Sequence, residues 1–196
     1  MSEGFSFKKS TDESLVENVV AEIWKGVKGA ATSFTSSEAQ SVTILFHNDT
    51  DETWRQDGES YIHTGAERLH PSGHIIPPRT GSMSELDAKL RATYVFSKKS
   101  WDGYGTEGVI PLKNTRGDRL CVGWYIPLGI KDNGCALAFD GRPAKEVWEE
   151  LISNPSQPPM AADAFTPHGG PYVARAIVSA RTGGSVVLAV KIERNK

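Results

Sequence analysis

Apolar residues near the start of the chain recur at helical spacing. Val16, Val19, Val20, Ile23, Val27 and Ala30 share one stripe, with Leu15 and Trp24 at its edges. Together they span an arc of roughly 100° on a helical wheel. Glu17, Asn18, Glu22, Lys25 and Lys28 fill the remainder, acids before lysines, as the helix dipole favours. Ser10 stands three residues before Glu13, the spacing of a capping box. The pattern predicts an amphipathic helix over 10–31, its last turns weakened by Gly26 and Gly29. Residues 32–40 are mostly Ser and Thr and predict a linker.

From Ser41 the period shortens to that of strands. β-branched and alternating runs predict strands at 41–47, 59–64, 73–76, 91–97, 108–112, 119–127, 135–139, 172–180 and 185–193. Turn chemistry separates them, as at Asn48-Asp49-Thr50-Asp51, Pro77-Pro78 and Asp132-Asn133-Gly134. A second helix is predicted at about 143–153, with Pro143 at its first position and Val147, Trp148, Leu151 and Ile152 at helical spacing. Pro155, Pro158 and Pro159 end it, and the Pro/Gly-rich stretch up to Pro171 reads as a long surface loop. The expectation is a single domain over 1–196, mainly β, an antiparallel β-sandwich flanked by two α-helices, with its strands in 41–196.

Composition narrows the function classes. The 196 residues carry a formal charge of −2, where a protein gripping nucleic acid through its phosphates is normally strongly basic. No apolar run reaches the ~18 residues of a membrane-spanning helix. Met1 to Ser10 leads into no apolar h-region, so no secretory signal is predicted. Cys121 and Cys135 lack zinc spacing and are read as reduced thiols. No G-x-S-x-G, P-loop or H-E-x-x-H motif is present, so no enzyme, cofactor or metal is implied. His70 and His74 have helical i, i+4 spacing, but Pro71 and Gly73 lie between them, leaving loop histidines as the simpler reading. Arg116-Gly117-Asp118 spells an adhesion tripeptide where a charged hairpin tip is the plainer account.

In order and spacing these features resemble the actinoporins, pore-forming cytolysins, and their actinoporin-like relatives. An amphipathic helix precedes a first strand at 42–46, then Asn48-Asp49-Thr50-Asp51-Glu52-Thr53-Trp54. Tyr61-Ile62-His63-Thr64-Gly65, the strand closing in Tyr125-Ile126-Pro127, and Val147-Trp148-Glu149-Glu150-Leu151 have counterparts in that family. The resemblance implies a β-sandwich secreted or released as a soluble monomer; with no secretory signal visible, the expected location is cytoplasmic or released, and membrane-associated when active. It implies recognition of a sphingolipid or phosphocholine head group, homo-oligomerisation on the membrane, and pore lining by the N-terminal helix. Carried over position by position, His63, Thr64, Tyr125, Pro127 and Trp148 fall at the lipid head-group site. Leu15, Val16, Val19, Val20, Ile23, Trp24 and Val27 fall on the inserting helix.

Two departures bear on that function. After Pro127 the family has a loop crowded with Tyr and Trp, whereas this chain reads Leu128-Gly129-Ile130-Lys131-Asp132-Asn133-Gly134. Where tyrosines are expected after Leu151 stand Ile152 and Ser153. Each lost ring removes about 0.5–2 kcal/mol of cation–π attraction for a choline-type group. The alternative is a lectin-like protein on the same sandwich, with Trp101 or Tyr104 stacked on a glycan.

Overall fold

β-branched runs that alternate between two environments build the strands of the computed structural model, which describes residues 41–69, 75–76, 93–97, 105–151, 159–167, 170–182 and 184–195. In chain order these are β1 (Ser41–Asp49), β2 (Trp54–Gln56), β3 (Tyr61–Thr64), β4 (Ala66–Leu69), β5 (Ile75–Ile76), β6 (Thr93–Ser97), β7 (Thr106–Asn114), β8 (Arg119–Ile126), β9 (Gly134–Phe139), β10 (Ala161–Phe165), β11 (Tyr172–Val178) and β12 (Ser185–Arg194). One helix, α1 (Ala144–Leu151), stands between β9 and β10. The predicted amphipathic helix and linker lie outside the described residues.

The strands form two sheets. The first has the order β10-β11-β12-β1-β6-β4 and the second β5-β2-β7-β8-β9. β3 also pairs with β7, meeting it around Val109 while β2 meets it around Leu112 to Asn114. The sheets pack face to face, which is a mainly β sandwich. Even-numbered residues of β7, β8 and β1, including Ile110, Leu112, Val122, Trp124, Val42 and Ile44, point between the sheets and are almost wholly buried. Each such side chain contributes about 1.5–3 kcal/mol relative to exposure. Phe96 of the first sheet stacks on Trp124 of the second at 4.1 Å, and Trp54 meets Tyr172 edge-on at 5.6 Å. The Trp124 indole N–H donates to Thr106 Oγ1 at 3.0 Å, so the largest core ring buries no orphan donor.

Three features differ from the expectation. The sandwich is not wholly antiparallel: β1 runs parallel to β12, in register from Ser41↔Ser185 to Asp49↔Glu193. The stretch read as a long loop contains β10, which pairs antiparallel with β11 from Ala161↔Ile177 to Phe165↔Val173. Short strands β2 and β4 also form around turns that local pattern assigned no structure.

The turn after β1 shows why Asn48 occupies that position. Its Oδ1 accepts from Thr50 N at 3.0 Å and Thr50 Oγ1 at 2.6 Å. Its Nδ2 donates to the carbonyls of Glu52 at 2.8 Å and Ile76 at 3.2 Å, tying the first strand to the turn before β2 and to β5. Gly65, at φ 101, makes the corner where the chain leaves β3 in the second sheet for β4 in the first. Helix α1 starts after Pro143, whose carbonyl accepts from Val147 N–H at 3.2 Å. Arg142, paired with both Asp140 and Glu150 at 2.6 Å, braces that start. The helix lies on the outer face of the second sheet, where Ala144, Val147 and Trp148 cover Val109, Cys121 and Ala136.

Candidate functional site

The site grows from the edge of α1. In β3, Tyr61 and His63 are two apart, so strand alternation puts both on the outer face of the second sheet. A register shift falls between Ile62 and Thr64, where Ile62 pairs with Gly108 and Thr64 with Glu107, leaving His63 as the bulged residue. The bulge aims the His63 ring at the helix. It stacks on Trp148 with centroids 4.0 Å apart and planes at 24°. Tyr61 lies 5.6 Å from the same indole, and its hydroxyl is 3.4 Å from His63 Nδ1. Gly108 makes this approach possible. A Cβ there would strike the Tyr61 carbonyl oxygen and come within 2.7 Å of the Trp124 ring.

Beyond these rings the outer face continues through Glu107 of β7 and Tyr125 of β8, which are cross-strand partners. Tyr125 packs with Tyr61 against the hydrophobic cluster of the helix. Glu107 is half-buried, and among the described residues its carboxylate has neither a hydrogen bond nor an ion pair. Desolvation pushes its pKa up, while His63 and Lys131 pull it down more weakly. Two buried donors nearby also lack partners: the Trp148 indole N–H and the Thr64 hydroxyl. Trp148 itself is only 8% exposed. The two donors are shut away from solvent, so what the corner presents outward is aromatic rings and one unspent acceptor, a set suited to binding a small polar group.

The loop that follows β8 borders this corner. Pro127 is buried at its root, whereas Leu128 is 44% exposed and Ile130 94% exposed. The far end of the loop is fixed to the β11–β12 turn: Asn133 N–H donates to the Arg181 carbonyl at 2.6 Å and its Nδ2 to the Ala180 carbonyl at 3.1 Å. Asp132 adds an ion pair with Arg181 at 2.9 Å. An anchored loop with an apolar tip results.

Of the residues carried over by resemblance, His63, Thr64, Tyr125 and Trp148 meet at this corner, while Pro127 is buried at the loop root. Leu15, Val16, Val19, Val20, Ile23, Trp24 and Val27 lie outside the described residues, as do His70, His74, Trp101 and Tyr104. Sequence reasoning missed Tyr61, Glu107, Leu128 and Ile130. The alternation of Tyr61 with His63 was available to find the first; nothing local marked Glu107.

Other candidates resolve into structural roles. Arg116-Gly117-Asp118 is a hairpin tip held by Asn114. Asn114 Oδ1 accepts from the N–H groups of Arg116 and Asp118 at 3.0 and 2.9 Å, and its Nδ2 donates to the Asp118 carboxylate at 3.0 Å. The Arg116 side chain pairs with Glu52 at 3.3 Å. Cys121 and Cys135 are buried free thiols, Cys121 pushed up to about 11 by desolvation and Cys135 higher still. Among the described residues no group of three His, Cys, Asp or Glu is placed to hold a metal ion. No helix among them is long and apolar enough to cross a membrane.

No protein-family model and no curated protein matches the chain in sequence. Solved structures match it in fold. The lipid-binding protein Nakanori superposes with a TM-score of 0.66 at 14% identity, over 89% of this chain and 85% of its own. The wild-type lectin XCL of Xerocomus chrysenteron superposes with a TM-score of 0.54 at 11% identity, over 79% of this chain and 99% of its own. A mutated form of that lectin gives 0.56 at 12% identity. This chain thus has a sandwich fold shared by a lipid-binding protein and a lectin.

Proposed function

We propose that this protein binds the head group of a membrane lipid at the corner formed by Tyr61, His63, Tyr125 and Trp148. One observation carries the reading: the aromatic corner borders an anchored loop whose Ile130 stands 94% exposed. A side chain so apolar and so exposed is ill placed in water and well placed in the interfacial layer of a bilayer, where the adjoining rings would meet head groups. Likeness in fold to Nakanori supports the same reading. On this proposal the amphipathic segment at 10–31 supplies further apolar contact, and assembly of several copies would open a pore. That segment reaches β1 at Ser41, whose N–H donates to the Gly184 carbonyl of the β11–β12 turn, the same turn that fixes the apolar loop.

Vesicle co-sedimentation and dye release test both levels. Binding with release supports the full proposal, and binding without release limits it to head-group recognition. Absence of binding to phosphatidylcholine, sphingomyelin/cholesterol and phosphatidylethanolamine vesicles overturns it. A second reading, a carbohydrate site, is favoured by the unpaired Glu107 carboxylate beside aromatic rings, since sugar hydroxyls donate to carboxylates and sugar faces stack on rings. Glycan-array binding with no vesicle binding would favour it.

A further inference from the structure

We infer that Glu107 is the specificity-determining residue of this corner and selects a ligand whose cationic group is an ammonium bearing N–H donors. The inference rests on the corner being a binding site, and it adds the chemistry of what enters. Elsewhere in the described structure several carboxylates drawn into the fold hold cations, whereas the Asp118 carboxylate takes the Asn114 amide instead and Asp163 makes no ion pair. Asp57 holds Arg119 at 2.8 Å, Asp140 holds Arg142 at 2.6 Å, and Glu193 holds Lys191 at 2.8 Å as well as Arg175. Asp163 faces Arg175 directly across the β10–β11 pair. Glu107 faces Tyr125 on one side and Thr64 on the other, neither of which brings a charge. Among the described residues, His63 from the bulge and Lys131 from the exposed loop act on it electrostatically without forming an ion pair.

A half-buried carboxylate with no protein donor keeps only part of the hydration it had in water. A ligand that supplies both charge and N–H groups makes up the difference, and the partly exposed rings of Tyr125 and Tyr61 favour the same positive charge. A quaternary ammonium satisfies the charge but donates nothing to the oxygens. An anionic group is repelled. The position of Glu107 therefore favours a primary ammonium over a trimethylammonium, and either over an anion. Such an ammonium occurs both in aminated lipid head groups and in amino sugars, so the chemistry is common to both readings of the corner.

The experiment uses the full chain, wild type and the near-isosteric Glu107→Gln, with Glu107→Asp as the charge-retaining control. One arm measures binding to phosphatidylcholine vesicles with or without phosphatidylethanolamine, or with phosphatidylglycerol. The other measures glucosamine against N-acetylglucosamine by nuclear magnetic resonance titration. Wild type is expected to favour the amine-bearing member of at least one pair by roughly tenfold or more, the scale of a charge-assisted hydrogen bond. Glu107→Gln should abolish that preference and Glu107→Asp should keep part of it. Preference in the vesicle arm alone identifies a lipid amine, and in the sugar arm alone an amino sugar. If wild type binds and Glu107→Gln binds with the same preference, the inference fails while the site stands. Equal losses for choline and ethanolamine vesicles overturn the N–H requirement. If wild type binds neither vesicles nor sugars, both the inference and the binding site fall.

Discussion

Replacing Glu107 by Gln should stabilise the unliganded protein, because the wild-type side chain keeps a charge half out of water that His63 and Lys131 offset only weakly. A fully buried unsatisfied group costs about 1–3 kcal/mol, more when charged. Partial solvent access and screening reduce the cost here to about 1 kcal/mol. For a chain of this size that raises the unfolding midpoint by ~2–4 °C. The pH dependence gives the sharper test. Burial raises the Glu107 pKa in the folded state, so the native form holds that proton more tightly than the unfolded chain does. Wild-type stability from this group is therefore lost as pH rises from the unfolded value near ~4.3 through the raised folded one. Glutamine does not titrate. The advantage of Glu107→Gln should be smallest at pH 4 and larger at pH 7. Thermal unfolding followed by circular dichroism at both values reads it directly. A lower midpoint for the variant at pH 7, or the same offset at both values, would refute the account of Glu107 as a charge held at a cost.

Four further outcomes are expected. Ile130→Asp should leave the unfolding free energy within about 0.5 kcal/mol of wild type, since Ile130 is 94% exposed, yet weaken vesicle co-sedimentation; unchanged vesicle affinity counts against the loop as a membrane contact. Asn48→Ala removes four hydrogen bonds at a 2% exposed position and should cost about 3 kcal/mol in urea denaturation. Gly108→Ala should destabilise by ~1–3 kcal/mol through overpacking and shift the chemical environment of the His63 ring, read by nuclear magnetic resonance, because β3 must move off β7. The native protein should react with a thiol-specific reagent at pH 8 no faster than it unfolds, as Cys121 and Cys135 are buried and held protonated.

Much of this architecture was legible where local chemistry and tertiary context agree. β1, β8, β11 and β12 carry β-branched residues, β9 is a short apolar run between turn residues, and α1 follows from Val147 and Trp148 at helical spacing. β10 was illegible because Ala161-Ala162-Asp163-Ala164-Phe165 has little strand propensity. Its strand character comes from β11, which supplies a ladder, and from the core that takes Ala162 and Ala164. The parallel β1–β12 pair was illegible for a different reason: alternation tells which face a residue takes and never which strand lies beside it. At the site, His63, Thr64, Tyr125 and Trp148 came from resemblance, whereas Glu107 could not be found by pattern. A lone acid in a strand reads as a solvated outer position, and only the folded neighbourhood reveals that its charge has no partner.

The parallel alignment of the first and last described strands also governs how the sheet can be assembled. Ser41 touches Ser185 across 144 positions of sequence, so the middle of that sheet stays open until the ribosome has delivered β12. Until then β6 is the only in-sheet neighbour of β1 among the described strands, and the β12 side of β1 stays unpaired. Closing so distant a contact is entropically slow, and the waiting strand is the place where a nascent copy would first adhere to its neighbours.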